Sequence, residues 1–176
     1  MNFGLFVLRL VVGGLFIGHG TQKLFGWFQG HGLEGTGGFF ESLGYKPGKH
    51  MAALAGLSES GAGAMLILGF LTPLAAAMII GVMMNAMIAV HADKGIWNSN
   101  GGVELPLVYA TIAAMFALAG PGSWSVDNAI GVTFFGVVWG LVTISVALIT
   151  GVIVSGLRHE EVVEEEAGAD RRRRAA

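Results

Sequence analysis

The amino-acid sequence predicts an all-α protein, a transmembrane helical bundle with a four-helix core and a fifth, C-terminal spanning helix. Three observations carry that expectation. Hydrophobic residues fill 53% of the 176 positions and the mean hydropathy is +0.67, well above a soluble composition. Only 10 basic and 12 acidic residues are present, and half of them fall in positions 158–176, so the preceding body has too little charge to coat a water-facing surface. Apolar runs of near-membrane length recur along the chain, separated by Gly, Pro and polar segments.

The first run, Phe3 to Thr21, is interrupted only by Arg9. It lacks a basic stretch ahead of its apolar core and a small-residue cleavage site after it, and so reads as a retained span rather than a signal peptide. The second, Met51 to Phe70, gives about 30 Å of helix. Thr72-Pro73 separates it from the third, Leu74 to His91, with Pro in a first helical turn. The fourth, Leu105 to Ala119, is short and is expected to begin near Gly101 or Gly102. The fifth, Ile130 to Leu157, carries no ionisable side chain and is expected to face lipid. Residues 1–130 then form the core, 130–157 an added span, and 158–176 a charged, disordered cytoplasmic tail in which an acidic block precedes Arg171 to Arg174.

Positive charge sets the expected orientation. With five spans and a cytoplasmic C-terminus, nine of the 10 Lys and Arg residues lie inside, and Arg9 is the exception. The N-terminus is therefore expected outside, in a multi-pass protein of the cell membrane. Loop 22–50 contains Phe39-Phe40 and Leu43 and reads as a short amphipathic segment at the inner interface, or equally as a surface loop. Gly accounts for 29 residues, about twice the usual share. The spaced pairs Gly14/Gly18, Gly56/Ser60 and Gly136/Gly140 would let backbones approach closely in a compact bundle.

Composition excludes several chemistries. There is no Cys, hence no disulfide, thiolate zinc site, cysteine-ligated Fe–S cluster or c-type haem attachment. The net charge of −2 offers nothing to nucleic acid. What remains is a polar constellation inside the spans. His19 and Lys23 share one face of the first helix, and Glu59 lies mid-span on the small-residue face of the second. His91 closes the third span, Asn85 lies deeper, and Glu104 precedes the fourth. A carboxylate at that depth costs at least about 2.5 kcal/mol, so Glu59 marks a functional pocket. Arg9, near the other end, is expected to snorkel to the outer interface, and Met78, Met83, Met84 and Met87 to fill packing gaps.

Three chemistries fit such a pocket. A quinone head group needs donors for its carbonyl oxygens and a carboxylate or imidazole for proton exchange, which Glu59, His19 and His91 supply as catalytic candidates. A carboxylate–histidine metal site from the same residues and Glu104 would lack the Glu-x-x-His spacing of bundle di-iron sites, so no metal is expected. A b-type haem between His19 and His91 would sit at the rim. The quinone is preferred, toward the cytoplasmic leaflet. Other classes stay open: a membrane scaffold that docks soluble redox enzymes, or a small-molecule or proton pathway through Glu59. Association with a second copy is also open.

With these residues in view, the chain resembles the DoxX family of small membrane proteins. The resemblance rests on LRLVVGGLFIGHGTQKLFGWF at 8–28, GTGGFFESLGYKPG at 35–48, LAGLSESGAGAMLILGFLTPLAA at 54–76, VMMNAMIAVHADKGIW at 82–97, NSNGGVELPLVY at 98–109 and GPGSWSVD at 120–127. It spans residues 4 to 130. It implies a four-helix core, from which the fifth span departs. It places His19, Gln22, Lys23, Glu59, His91, Asn100, Gly101, Gly102 and Glu104 on motif positions, and so adds Gln22, Lys23, Asn100 and Glu104 as cofactor-binding candidates. Relatives in thiosulfate:quinone oxidoreductase and in an oxidative-stress complex with superoxide dismutase and a sulfurtransferase imply a redox subunit with such soluble partners. Without Cys, sulfur chemistry would fall to the partner.

Overall fold

A computed structural model describes residues 2–159, and residues 160–176 of the tail lie outside them. Seven α-helices follow one another: α1 (Asn2–Phe25), α2 (Gly32–Ser42), α3 (Gly48–Leu68), α4 (Thr72–Ala86), α5 (Glu104–Ala119), α6 (Val126–Ala129) and α7 (Val137–Ser155). No strand occurs among the described residues. α4 runs on through a π-helical turn at Met87–His91 and a 3-10 turn at Ala92–Lys94. Four helices are long and apolar enough to cross a membrane: Asn2–Phe25, Gly48–Leu68, Thr72–Lys94 and Val137–Ser155. α5 is the short one. Its 16 residues start at Glu104 rather than at Gly101 or Gly102 and span about 24 Å, less than a typical hydrocarbon core. The C-terminal span is also shorter than its apolar run suggests, because Gly131 and Gly136 adopt positive φ and hold residues 130–136 out of the helix.

α1 and α3 pack antiparallel through glycines. A Cβ at Gly13 would stand 2.6 Å from the Gly63 carbonyl oxygen, and one at Gly56 would stand 3.1 Å from that of Gly20. The backbones meet only because no side chain intervenes. Gly56 and Ser60 thus serve close approach as expected, facing Gly20. Gly14 and Gly18 do not: nothing lies within 4 Å of a Cβ built at either, so this pair points outward and the register of the contact is one residue away. Around this seam Phe16, Leu66, Ile79 and Phe116 are fully buried among alanines of α3, α4 and α5. Large apolar side chains such as Val138, Leu141 and Ile153 of α7 remain exposed, as lipid-facing residues should.

α7 does more than coat the bundle. Its small residues seat it against α4, where a Cβ at Gly151 would meet the Met84 side chain at 2.9 Å, and Gly140 against Leu118 of α5. Near its C-terminal end the Ser155 hydroxyl donates to Asn85 Oδ1 at 3.0 Å, and the Asn85 amide donates to Gly151 O at 3.2 Å. Arg158 Nε then donates to Leu43 O at 2.8 Å. The expectation of a lipid-facing addition holds for its outer face only: small residues and bonds to the half-buried Asn85 amide make the inner face of α7 a wall of the interior.

The opposite end of the bundle is tied by Arg9 and Asp127, both buried. α3 ends in a Schellman turn at Gly69, with Gly69 N bonded to Leu66 O at 3.0 Å and Phe70 N to Met65 O at 2.9 Å. Leu71 follows with a φ of +47°, a conformation unusual for leucine. It is held because the amides of Leu71 and Thr72 both donate to the Asp127 carboxylate, at 2.8 and 2.9 Å, and the Thr72 hydroxyl adds a third bond at 2.7 Å. Arg9 does not snorkel. Its Nη2 donates to Trp124 O, its guanidinium lies 5.6 Å from the Phe6 ring, and its Nε and Nη1 have no hydrogen-bond partner among the described residues. The chain from 120 to 129 returns over the start of α1, which seals the guanidinium away from the interface.

Candidate functional site

Glu59 and Lys23 are joined by the α1–α3 seam. The Lys23 ammonium reaches Glu59 Oε2 at 2.6 Å, with side-chain exposures of 23% for Lys23 and 4% for Glu59. Lys23 is on the last turn of α1 and Glu59 is mid-way along α3; Gly20 packs on Gly56, and the long Lys23 side chain reaches back along this antiparallel seam to Glu59. The pair is electrically neutral. That meets the cost of a carboxylate at this depth without a metal or water.

The pair borders a partly open cavity of about 510 Å³ lined by residues of α1, α2, α3, α4 and α7. Its walls are mainly apolar: Leu54 and Ala55 of α3, Leu74 and Met78 of α4, Val146 and Val154 of α7. Along α4 the lining runs from Leu74 to Val90, about 24 Å. Phe39 and Phe40 of α2 line one side, so the amphipathic segment expected in loop 22–50 is a helix that forms part of the wall. Besides the ion pair, polarity comes chiefly from Tyr45 and Asn85, whose side chains bond at 3.0 Å. Tyr45, in the loop before α3, has its phenol pushed above the ordinary value of 10 by burial, against the opposing effects of Ser155 and the nearby Arg158 charge.

The other sequence candidates lie elsewhere. His19 is exposed, with Nδ1 3.1 Å from Gln22 Oε1, and the Gln22 amide in turn donates to Phe28 O at 3.2 Å. These two brace the loop after α1. His91 Nδ1 lies 2.5 Å from Gly101 O, at the end of the π-helical turn. Glu104 Oε2 accepts from the Asn98 amide at 2.8 Å and fixes the 3-10 turn that includes the exposed Asn100. None of His19, Gln22, His91, Asn100 and Glu104 lines the large cavity. The expectation that all the ionisable groups converge on one chamber is therefore corrected to a pair, Lys23 and Glu59. The rest are bonded to other partners outside it. Among the described residues no three His, Asp or Glu side chains are grouped to hold a metal.

The sequence candidates did not include Tyr45, and Asn85 stood among them only as a polar residue deeper in the third span. Asn85 does bond across helices, yet it also lines the chamber. The signal for Tyr45 was slight: one aromatic hydroxyl between an amphipathic segment and a span.

Neither the curated proteins nor the solved structures give a match to this chain. A family model for DoxX matches residues 4–92, which takes in α1 to the π-helical turn, both members of the ion pair, Tyr45 and Asn85. That match covers just over half of the sequence. The chain is a multi-pass membrane protein of the DoxX family.

Proposed function

We propose that this protein is a membrane subunit of a redox system and that the cavity beside Lys23 and Glu59 takes a quinone. The observation that carries the reading is an apolar chamber at membrane depth whose buried charge is a single compensated pair. A compensated pair asks for a neutral ligand with acceptor oxygens, because an anion would have to displace Glu59. The elongated apolar lining along α4 suits an isoprenoid tail. Lys23 would donate to one carbonyl oxygen and Glu59 would hold and neutralise Lys23, while the Tyr45 hydroxyl stays donated to Asn85 Oδ1 at the wall. A quinone supplies the capacity to carry two electrons and two protons. With no Cys in the chain, sulfur chemistry and the electron donor belong to a soluble partner, of the superoxide dismutase or sulfurtransferase kind that the family resemblance implies. The charge distribution supports a cytoplasmic C-terminus and an outer N-terminus, which a C-terminal reporter would check.

The test is equilibrium binding of a short-chain quinone to the purified protein in mild detergent, alongside analysis of co-extracted quinone. Loss of a charge-assisted contact should weaken binding by about 10- to 100-fold in Glu59→Gln. No binding by the unsubstituted protein, or equal binding by Glu59→Gln, would overturn the reading.

A further inference from the structure

A second cavity, of about 280 Å³, lies against the first and carries a larger share of polar side chains. Gln22, Gln29, His31 and Thr36 line it together with Lys23, and it shares Lys23, Phe39 and Phe40 with the apolar chamber. We propose that this smaller cavity is a water port through which protons reach Lys23, and through Lys23 the chamber that holds Glu59. The proposal takes its purpose from the quinone reading, while its geometry stands apart from it.

Three features argue for a port. The volume and the convergent polar side chains suit several waters, each with partners. Exposure falls across the ion pair from 23% at Lys23 to 4% at Glu59, so Lys23 is the member that water can reach. The mouth is also built to a fixed shape. Phe28 and Gln29 both take left-handed backbone conformations, φ 52° and 64°, which side chains other than glycine adopt at a cost. The Gln22 amide holds that turn by its bond to Phe28 O, and a Cβ at Gly30 would stand 2.5 Å from Gln22 Cα. His19 and Gln22 therefore acquire a role that keeps the loop from collapsing onto Lys23.

The step is a proton transfer alone. An N–H bond of the Lys23 ammonium breaks as an O–H bond forms on an oxygen of the ligand in the chamber. The resulting amine takes a proton from a port water, and that water is restored from bulk through the exposed His31 imidazole at the mouth. No electron passes through these residues.

The absence of native Cys makes the port directly testable. Thr36, which lines the port, and Thr143 of α7, which lines neither cavity, are each 8% exposed, so Thr36→Cys and Thr143→Cys form a burial-matched pair. Both are mild substitutions. In detergent-solubilised full chain, an anionic methanethiosulfonate should label Thr36→Cys at least about tenfold faster, because the control must first open locally at a cost of 1.4 kcal/mol or more. Equal rates would overturn the port. Short-chain quinone binding to the labelled Thr36→Cys protein is the second measurement, and retention within about twofold is expected for a port separate from the chamber. Loss of binding on labelling, matching that of Glu59→Gln, would make the small cavity part of the ligand site and also overturn the port. If no variant binds quinone, the quinone reading fails, and the labelling contrast still decides whether water reaches Lys23 by this route.

Discussion

Removing either member of the Lys23–Glu59 pair should destabilise the protein, and by unequal amounts. Lys23→Met strands a carboxylate that is 4% exposed, with no cation beside it. Breaking a buried pair from one side costs about 3–5 kcal/mol. Here there is a ceiling, because the stranded group can instead take up a proton, which for an ordinary glutamic acid at neutral pH costs about 4 kcal/mol. Glu59→Gln leaves an ammonium that is 23% exposed on a flexible stem and can turn toward water, so the loss should be only about 1–2 kcal/mol. The double variant Lys23→Met/Glu59→Leu removes charge from both sides and should return to within about 1 kcal/mol of the unsubstituted protein. Reversible unfolding in mixed micelles, followed by far-UV circular dichroism, would measure all three. Equal losses from the two single variants, or losses below about 0.5 kcal/mol from both, would refute the buried-pair argument.

Three further expectations concern other parts of the fold. Asp127→Asn weakens an acceptor of three hydrogen bonds and should lower stability by about 2–3 kcal/mol in the same unfolding assay, despite its distance from either cavity. Gly13→Val should prevent the α1–α3 contact and abolish the monodisperse folded species on size exclusion, whereas Gly14→Val, with open space at its Cβ, should fold normally. Stability should fall as the pH climbs past about 10: the unfolded Tyr45 ionises there, while the folded phenol, held to a higher value by burial, keeps its proton. Thermal unfolding from around pH 9 to around pH 11 should show a shallower decline for Tyr45→Phe.

Much of this was legible in the sequence for physical reasons. A membrane span needs a long apolar run, and a carboxylate inside one has so few solutions that Glu59 identified itself. Lys23 was visible as a cation near a span end, but its partner was not, since that depends on the register of the α1–α3 crossing. The same register decided that Gly13 and Gly20, rather than Gly14 and Gly18, make the contact, a difference of one or two residues that composition cannot resolve. Arg9 was misread because the segment that buries it lies more than a hundred residues away. α7 was misread because a wall needs no ionisable group, only small residues opposite Gly81 and Met84 and a serine within reach of Asn85. His19 and His91 were rightly placed near one end of the bundle, but depth along the spans says nothing about position around them.

A quinone is proposed for the apolar chamber beside Lys23 and Glu59. Photo-cross-linking with an azido-quinone analogue, followed by peptide mapping, addresses it most directly. The account predicts adducts on the chamber walls of α3, α4 and α7, lost on competition with unmodified quinone and in Glu59→Gln. Adducts spread over outward-facing residues such as Val11 and Leu141, and unchanged by either treatment, would contradict it.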